Sequence, residues 1–271
     1  MQVKQLPPGA RPSAADLTSA EYDLPSEIPA EKTVVICAGP CTGSHDLGRF
    51  LMAAGAGIAH EYFHPPVARA LAERWGLPGY PLDQKLCEIY LQMLQLQRGQ
   101  NGVFAVNLRY AQFLEHLMNR TGARLFHRAA VIHLFNPDIV EQMTAWRVAA
   151  STGVWDFSGE QTTLPRPYPE TAEENAELFD LDVDTVTAED TGFRKLFAMT
   201  NIAPIFLTTN QLFAAPREIV CELARQMGVE PNVTALDAMI AASAPSLPDE
   251  SVRRKAYDDL SNDLKRKAFR L

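Results

Sequence analysis

Residues 33–45 read Thr33-Val34-Val35-Ile36-Cys37-Ala38-Gly39-Pro40-Cys41-Thr42-Gly43-Ser44-His45. The first seven form a run of strand length closed by Gly-Pro, and the residues from Ser44 to Ala54 place Leu47, Phe50, Leu51 and Ala54 at helical spacing. A strand, a short glycine-containing loop and a helix therefore follow one another. A strand that is apolar at consecutive positions, rather than at alternate ones, is buried on both faces. That pattern belongs to a mainly parallel sheet covered by helices on both sides.

The same order repeats outward from this unit. Two helices are expected next, over Pro66 to Trp75 and Asp83 to Gln97, the second with Asp83 as N-cap and Gly99 as its stop. Gly102 to Leu108 reads as a second buried strand, followed by a helix carrying Phe113, Leu114, Leu117 and Met118. Ala129 to Phe135 reads as a third, followed by Asn136 as N-cap, Pro137 at the first helical position, and Ile139, Val140, Met143, Trp146 and Ala150 on one face. Pro204 to Thr209 reads as a fourth strand, and Pro216 opens a helix with Ile219, Val220, Leu223 and Met227. From Ser251, Val252, Ala256, Leu260, Leu264 and Ala268 recur every four residues, an amphipathic closing helix. The fold class is three-layer α/β. Residues 1–31, with five prolines, form an extended N-terminal arm, and residues 32–271 a single domain.

The chain has 271 residues with 46% hydrophobic and 21% charged side chains, enough to bury a full core. Its formal net charge of -8 argues against wholesale binding of nucleic acid or an anionic membrane, and no apolar run reaches the length of a membrane span. The excess is local. Eleven acids against one base, Arg166, fall between Asp156 and Gly192, an acidic, insert-like segment, so the rest of the chain is close to neutral. Four scattered cysteines (Cys37, Cys41, Cys87, Cys221) and the absence of an apolar core in the first residues point to a reducing, cytoplasmic setting.

Three candidate sites stand out. The loop from Ala38 to His45 feeds a helix N-terminus at the carboxyl end of a strand, where backbone N–H groups and the positive end of the helix dipole favour an anion. The same helix start is a place where a thiol, Cys41, can be activated. His60-Glu61-Tyr62-Phe63-His64 matches H-E-x-x-H, a zinc-hydrolase pattern with Glu88 as an imaginable third ligand. Pro65 and Pro66 favour a loop there, so no metal is expected. His133, in an apolar strand, reads as a core histidine, and Arg109, Arg124, Arg128 and Arg147 lie near element ends, where solvated charges are the ordinary reading.

Taken in order, the first strand, Thr42-Gly43-Ser44-His45, the helix, Gly55-Ala56-Gly57 and Glu61-Tyr62-Phe63 resemble the opening of the Stf0-type bacterial sulfotransferases. Three later blocks agree: Gly102 to Leu108, Asp138 with Gln142 and Thr144, and Thr152-Gly153-Val154-Trp155. The resemblance implies a P-loop-like α/β fold and transfer of a sulfuryl group from 3'-phosphoadenosine 5'-phosphosulfate (PAPS) to a hydroxyl of a carbohydrate or glycolipid. By position, Thr42, Gly43, Ser44 and His45 would cradle the 5'-phosphosulfate, Thr144 would meet the 3'-phosphate, and Glu61 would be the general base. The chain departs from the family pattern at three cationic positions, occupied here by Cys41, by Asn107 and by Phe135-Asn136-Pro137, of which Cys41 and Asn136 stay among the cofactor-binding positions that the resemblance implies. Arg49, Arg109, Arg147 or His45 would have to make up the charge. Otherwise the fold is kept by a non-catalytic binding or interaction protein. Some members of the family are dimeric, and the stretch from Trp146 to Trp155 is the apolar contact that a homodimer would use.

Overall fold

The computed structural model describes residues 12–78, 81–153, 155 and 172–243. The start of the arm, residues 156–171 of the acidic segment and the closing amphipathic helix lie outside the described residues.

Four strands, β1 (Lys32–Ala38), β2 (Val103–Leu108), β3 (Ala130–Phe135) and β4 (Ile205–Thr208), form one sheet in the order β2-β1-β3-β4, every pair parallel. Helices in chain order are α1 (Ala14–Thr18), α2 (Ser44–Ala54), α3 (Pro65–Arg74), α4 (Gln84–Gln97), α5 (Tyr110–Gln112), α6 (Arg120–Phe126), α7 (Ile139–Thr152), α8 (Ala172–Thr200), α9 (Thr209–Ala214), α10 (Pro216–Gln226) and α11 (Val233–Ala242). Alternation along β1 divides the interior in two. Val34, Ile36 and Ala38 pack with α2, α10 and α11, whereas Val35 and Cys37 pack with α3, α4, α6 and the Phe193 and Phe197 rings of α8. The three-layer α/β reading holds. Among the described residues no helix is long and apolar enough to cross a membrane.

The chain leaves β1 toward β2 and returns across β1 to β3, so the order reverses between β1 and β3. Crevices at the carboxyl ends of strands flanking such a reversal are where α/β sheets bind ligands. The Gly39–Gly43 loop and Asn136 both lie there.

Several local expectations change. The described part of the arm is not fully extended: Ser13 caps α1 through a capping box, and Leu17 packs on Met52 and Ile58. Two buried arginines clamp it, Arg49 through the Pro12 carbonyl at 2.9 Å and Arg98 through the Leu17 carbonyl at 2.6 Å. The N-cap of α7 is Asp138, whose carboxylate accepts from Val140 and Glu141 N–H, while Asn136 bonds to Asp138 N–H at 2.9 Å. A carboxylate two residues nearer the helix outcompetes the amide. After β2 the expected single helix breaks at Asn119, which caps α6, leaving Leu114 and Met118 47% and 70% exposed. Thr209 belongs to α9 rather than to the fourth strand, because Thr208 and Gln211 form a capping box.

The largest change concerns the acidic segment. From Ala172 it belongs to a 29-residue helix, α8, that runs on to Thr200; Asp182, Val186 and Glu189 of the segment are buried, as are Phe193 and Phe197 just beyond it.

Candidate functional site

The loop after β1 is shaped by two residues in the left-handed region, Cys41 at φ 56° and Gly43 at φ 86°, flanking Thr42. At Gly43 a side chain would also meet the Phe213 ring at 2.9 Å, so only glycine fits without displacement. Three side chains tie the loop down through its carbonyls. Gln142 of α7 donates to the Pro40 carbonyl at 2.7 Å, Thr209 of α9 to the Thr42 carbonyl at 2.9 Å, and Thr42 itself to the Gly39 carbonyl at 3.1 Å. The N–H groups are treated differently. Leu47 N–H makes the first turn's bond, to Gly43, and among the described residues no acceptor in the chain takes the N–H of Ser44 or His45. Open N–H groups at the positive end of an 11-residue helix are what an anion cradle would need.

Beside the cradle stands Glu61, on the segment between α2 and α3. The backbone there is fixed by Tyr62 Oη donating to the Ile58 carbonyl at 2.6 Å and by Asn107 N–H donating to the His60 carbonyl at 2.9 Å. One carboxylate oxygen of Glu61 lies 3.0 Å from His45 Nε2, and the other accepts from Gln112 Nε2 at 2.9 Å. Gln112 is in turn held by Arg109 N–H at 3.1 Å. Burial would raise the Glu61 carboxyl. The His45 hydrogen bond, with the charges of His45, Arg109 and His64, outweighs it and holds the group well below the usual carboxylate range. Glu61 is therefore an anion with both oxygens oriented.

Arg109 follows β2 and pairs with Glu189 of α8 at 3.5 Å. Glu189 also accepts from Tyr110 N–H, and from Ala111 N–H at 3.5 Å. Burial pushes the Cys41 thiol up to about 12, against the lowering effect of Arg109. The helix start does not activate this thiol: Cys41 stays protonated at neutral pH.

Cys41, Thr42, Gly43, Ser44, His45 and Glu61 come together at one corner, with Asn136 at the end of the strand next to β1. Thr144 is buried, and its hydroxyl donates to the Val140 carbonyl of its own helix at 2.7 Å. Gln112, Glu189 and Thr209 are the site residues that sequence reasoning missed. For Gln112 a signal existed, since a glutamine three residues after a helix start is the return half of a capping box. Glu189 and Thr209 come from elements distant in sequence.

The zinc pattern does not assemble. His60 is buried, His64 is exposed just before α3, the segment between them is not helical, and among the described residues no group of three His, Cys, Asp or Glu side chains is placed to hold a metal. His133 lies in the core among Phe135, Phe193, Phe197 and Phe206, its Nε2 3.1 Å from Asp190. Arg147 is buried against Asp182 at 2.7 Å, and Arg124 and Arg128 are exposed.

The family model of the Stf0 sulphotransferases matches residues 33–258. The chain belongs to the Stf0 sulphotransferase family. No curated protein sequence matches it closely enough to count as a relative. The Stf0 match begins in β1 and runs past α11, so the cradle, Glu61 and the acidic helix α8 all fall inside the family domain. A sulfotransferase-like function follows at that level of description.

Proposed function

We propose that the chain transfers a sulfuryl group from PAPS to a hydroxyl of a carbohydrate or glycolipid. The observation that supports this most is the pairing of an open N–H cradle with an oriented carboxylate, Glu61, bridged by His45, a residue of both. The phosphosulfate end of PAPS fits these residues. The N–H groups of Ser44 and His45 and the Ser44 hydroxyl would hold its anionic oxygens, with Thr42 and Gly43 shaping the loop. The other end would meet Asn136 and Thr144, the Thr144 hydroxyl turning away from the Val140 carbonyl to which it donates.

PAPS, when bound, supplies the activated sulfuryl group. The chain supplies position and charge, which dominate in loose, in-line transfers of this kind. Glu61 takes the proton of the acceptor hydroxyl. A carboxylate held this far below its ordinary range is a weak base, so the proton moves late, once the hydroxyl oxygen has begun to bond to sulfur. The protein is proposed to work in the cytoplasm. A dimer contact around Trp146 would have to accommodate its edge-on packing against Trp155 at 4.7 Å.

A second reading, a sulfotransferase-fold protein without donor binding, is favoured by Cys41, Asn107 and Phe135-Asn136 at cationic positions of the family pattern and by the committed Thr144 hydroxyl. One experiment separates the two. Purified chain is incubated with sulfur-labelled PAPS and a panel of sugars and glycolipids, beside Glu61→Gln. Label transfer that falls at least a hundredfold in the variant, with affinity for 3'-phosphoadenosine 5'-phosphate unchanged, supports the enzyme and its base. Absence of both transfer and donor affinity supports the second reading.

A further inference from the structure

We propose that Arg109 is the cation that meets the anionic ligand of this site, supplying the positive charge that Cys41 and Asn107 do not. The inference leans on the donor reading only for the name of the ligand, because any anion in the α2 cradle would meet the same guanidinium.

Three arginines were candidates, and burial separates them. Arg49 is 1% exposed and is committed to the Pro12 carbonyl and Asp46, at 2.9 and 3.5 Å. Arg147 is 4% exposed and donates to Asp182 at 2.7 Å. Both serve packing. The Arg109 side chain is 24% exposed, its contact with Glu189 is long at 3.5 Å, and its Nε is buried without a hydrogen-bond partner. A buried guanidinium N–H left open costs stability, and a ligand oxygen would satisfy it.

Placement agrees with burial. Arg109 lies two residues beyond Asn107, so the alternation of a strand keeps both on one face and carries the position about 6.6 Å toward the carboxyl edge. Leu108 pairs with Cys37, which sets Arg109 level with the start of the loop after β1. A family position lost at Asn107 is thereby regained one pleat later by a longer side chain. The field of Arg109 already reaches both sides of the site, favouring the ionised forms of Cys41 and of Glu61.

Glu189 has the opposite sense. Its carboxylate accepts from Tyr110 and Ala111 N–H and sits on the cation an anion would need. Glutamine there keeps an oxygen for the Tyr110 N–H, gives up only the long 3.5 Å bond from Ala111 N–H to the other oxygen, and removes the competing charge. The two residues therefore make contrary predictions, which a purely structural brace would not.

The test is calorimetric titration of the full chain with inorganic pyrophosphate and, separately, with 3'-phosphoadenosine 5'-phosphate at low salt. Expected are a loss of at least tenfold in affinity for both anions in Arg109→Gln, near-retention in Arg109→Lys, and a gain of several-fold in Glu189→Gln. Should Arg109→Gln fail to fold, the Glu189→Gln gain decides. Equal affinity in Arg109→Gln, a weakening in Glu189→Gln, or no binding of either anion to the unaltered chain overturns the proposal. Pyrophosphate binding through Arg109 with no added affinity for the nucleotide upholds it while removing PAPS. Nucleotide binding indifferent to Arg109 does the reverse.

Discussion

His60 and Glu61 are neighbours whose environments lower both groups and leave one neutral and the other charged. Burial, with the nearby charges of His45, Arg98 and Arg49, lowers the His60 imidazole to about 3 against the attraction of Glu61, so it is neutral in the fold. An unfolded chain protonates that imidazole below about 6.5 and the folded one does not. The stability it contributes is complete above 6.5 and is lost as pH falls toward 3, at no more than about 1.4 kcal/mol per pH unit. Glu61 has the same sign in a lower window: its contribution is complete above its ordinary value near 4.5 and fades as pH drops through its depressed native one. Melting temperature measured between pH 7 and 5 should therefore fall, and fall less steeply in His60→Phe, which keeps a ring against Tyr62. Part of the slope should remain, because His116 is also lowered by burial. A slope unchanged in His60→Phe would assign it elsewhere. At this scale the sequence was informative about which residues gather, since Glu61 and residues 41–45 lie in two short stretches. It was silent on their protonation, because Arg109 and Gln112 reach Glu61 from a strand end about fifty residues away.

α8 is the element whose reading changed most, and the reason is physical. Its buried face carries Val186, Phe193 and Phe197, yet also Asp182 and Glu189, which are buried because Arg147 and Trp146 meet the first and Arg109 with Tyr110 and Ala111 N–H meets the second. Acids on the inner face break the apolar stripe that marks a core helix. Gly192 lets this helix approach the site, since a Cβ there would sit 2.2 Å from the Tyr110 ring. Gly192→Ala should cost about 1–3 kcal/mol in chemical denaturation, as overpacking does. A neutral or stabilising result would show that α8 and α5 have room to separate. β1, β2, β3 and α2, by contrast, were legible to within a residue or two, because continuous apolar runs flanked by glycine, proline and caps leave little choice.

For the whole molecule, the four parallel strands lie in the order β2-β1-β3-β4, with Ile205 and Phe206 of the edge strand β4 exposed, and the reversal between β1 and β3 marks where a ligand can enter. The sequence could not supply that order, which depends on strand registers such as Ile36 opposite Asn107 and Cys37 opposite His133. Nor could it show that Asp182 and Glu189 of the acidic segment are buried. The site that results carries one partly exposed guanidinium, two carboxylates and an N–H cradle, a balance that admits an anion only if the cradle and Arg109 together outweigh Glu61 and Glu189. Calorimetric titration of the unaltered full chain with 3'-phosphoadenosine 5'-phosphate measures that balance directly. Micromolar binding is predicted; no detectable heat at millimolar nucleotide would contradict a PAPS-dependent sulfotransferase.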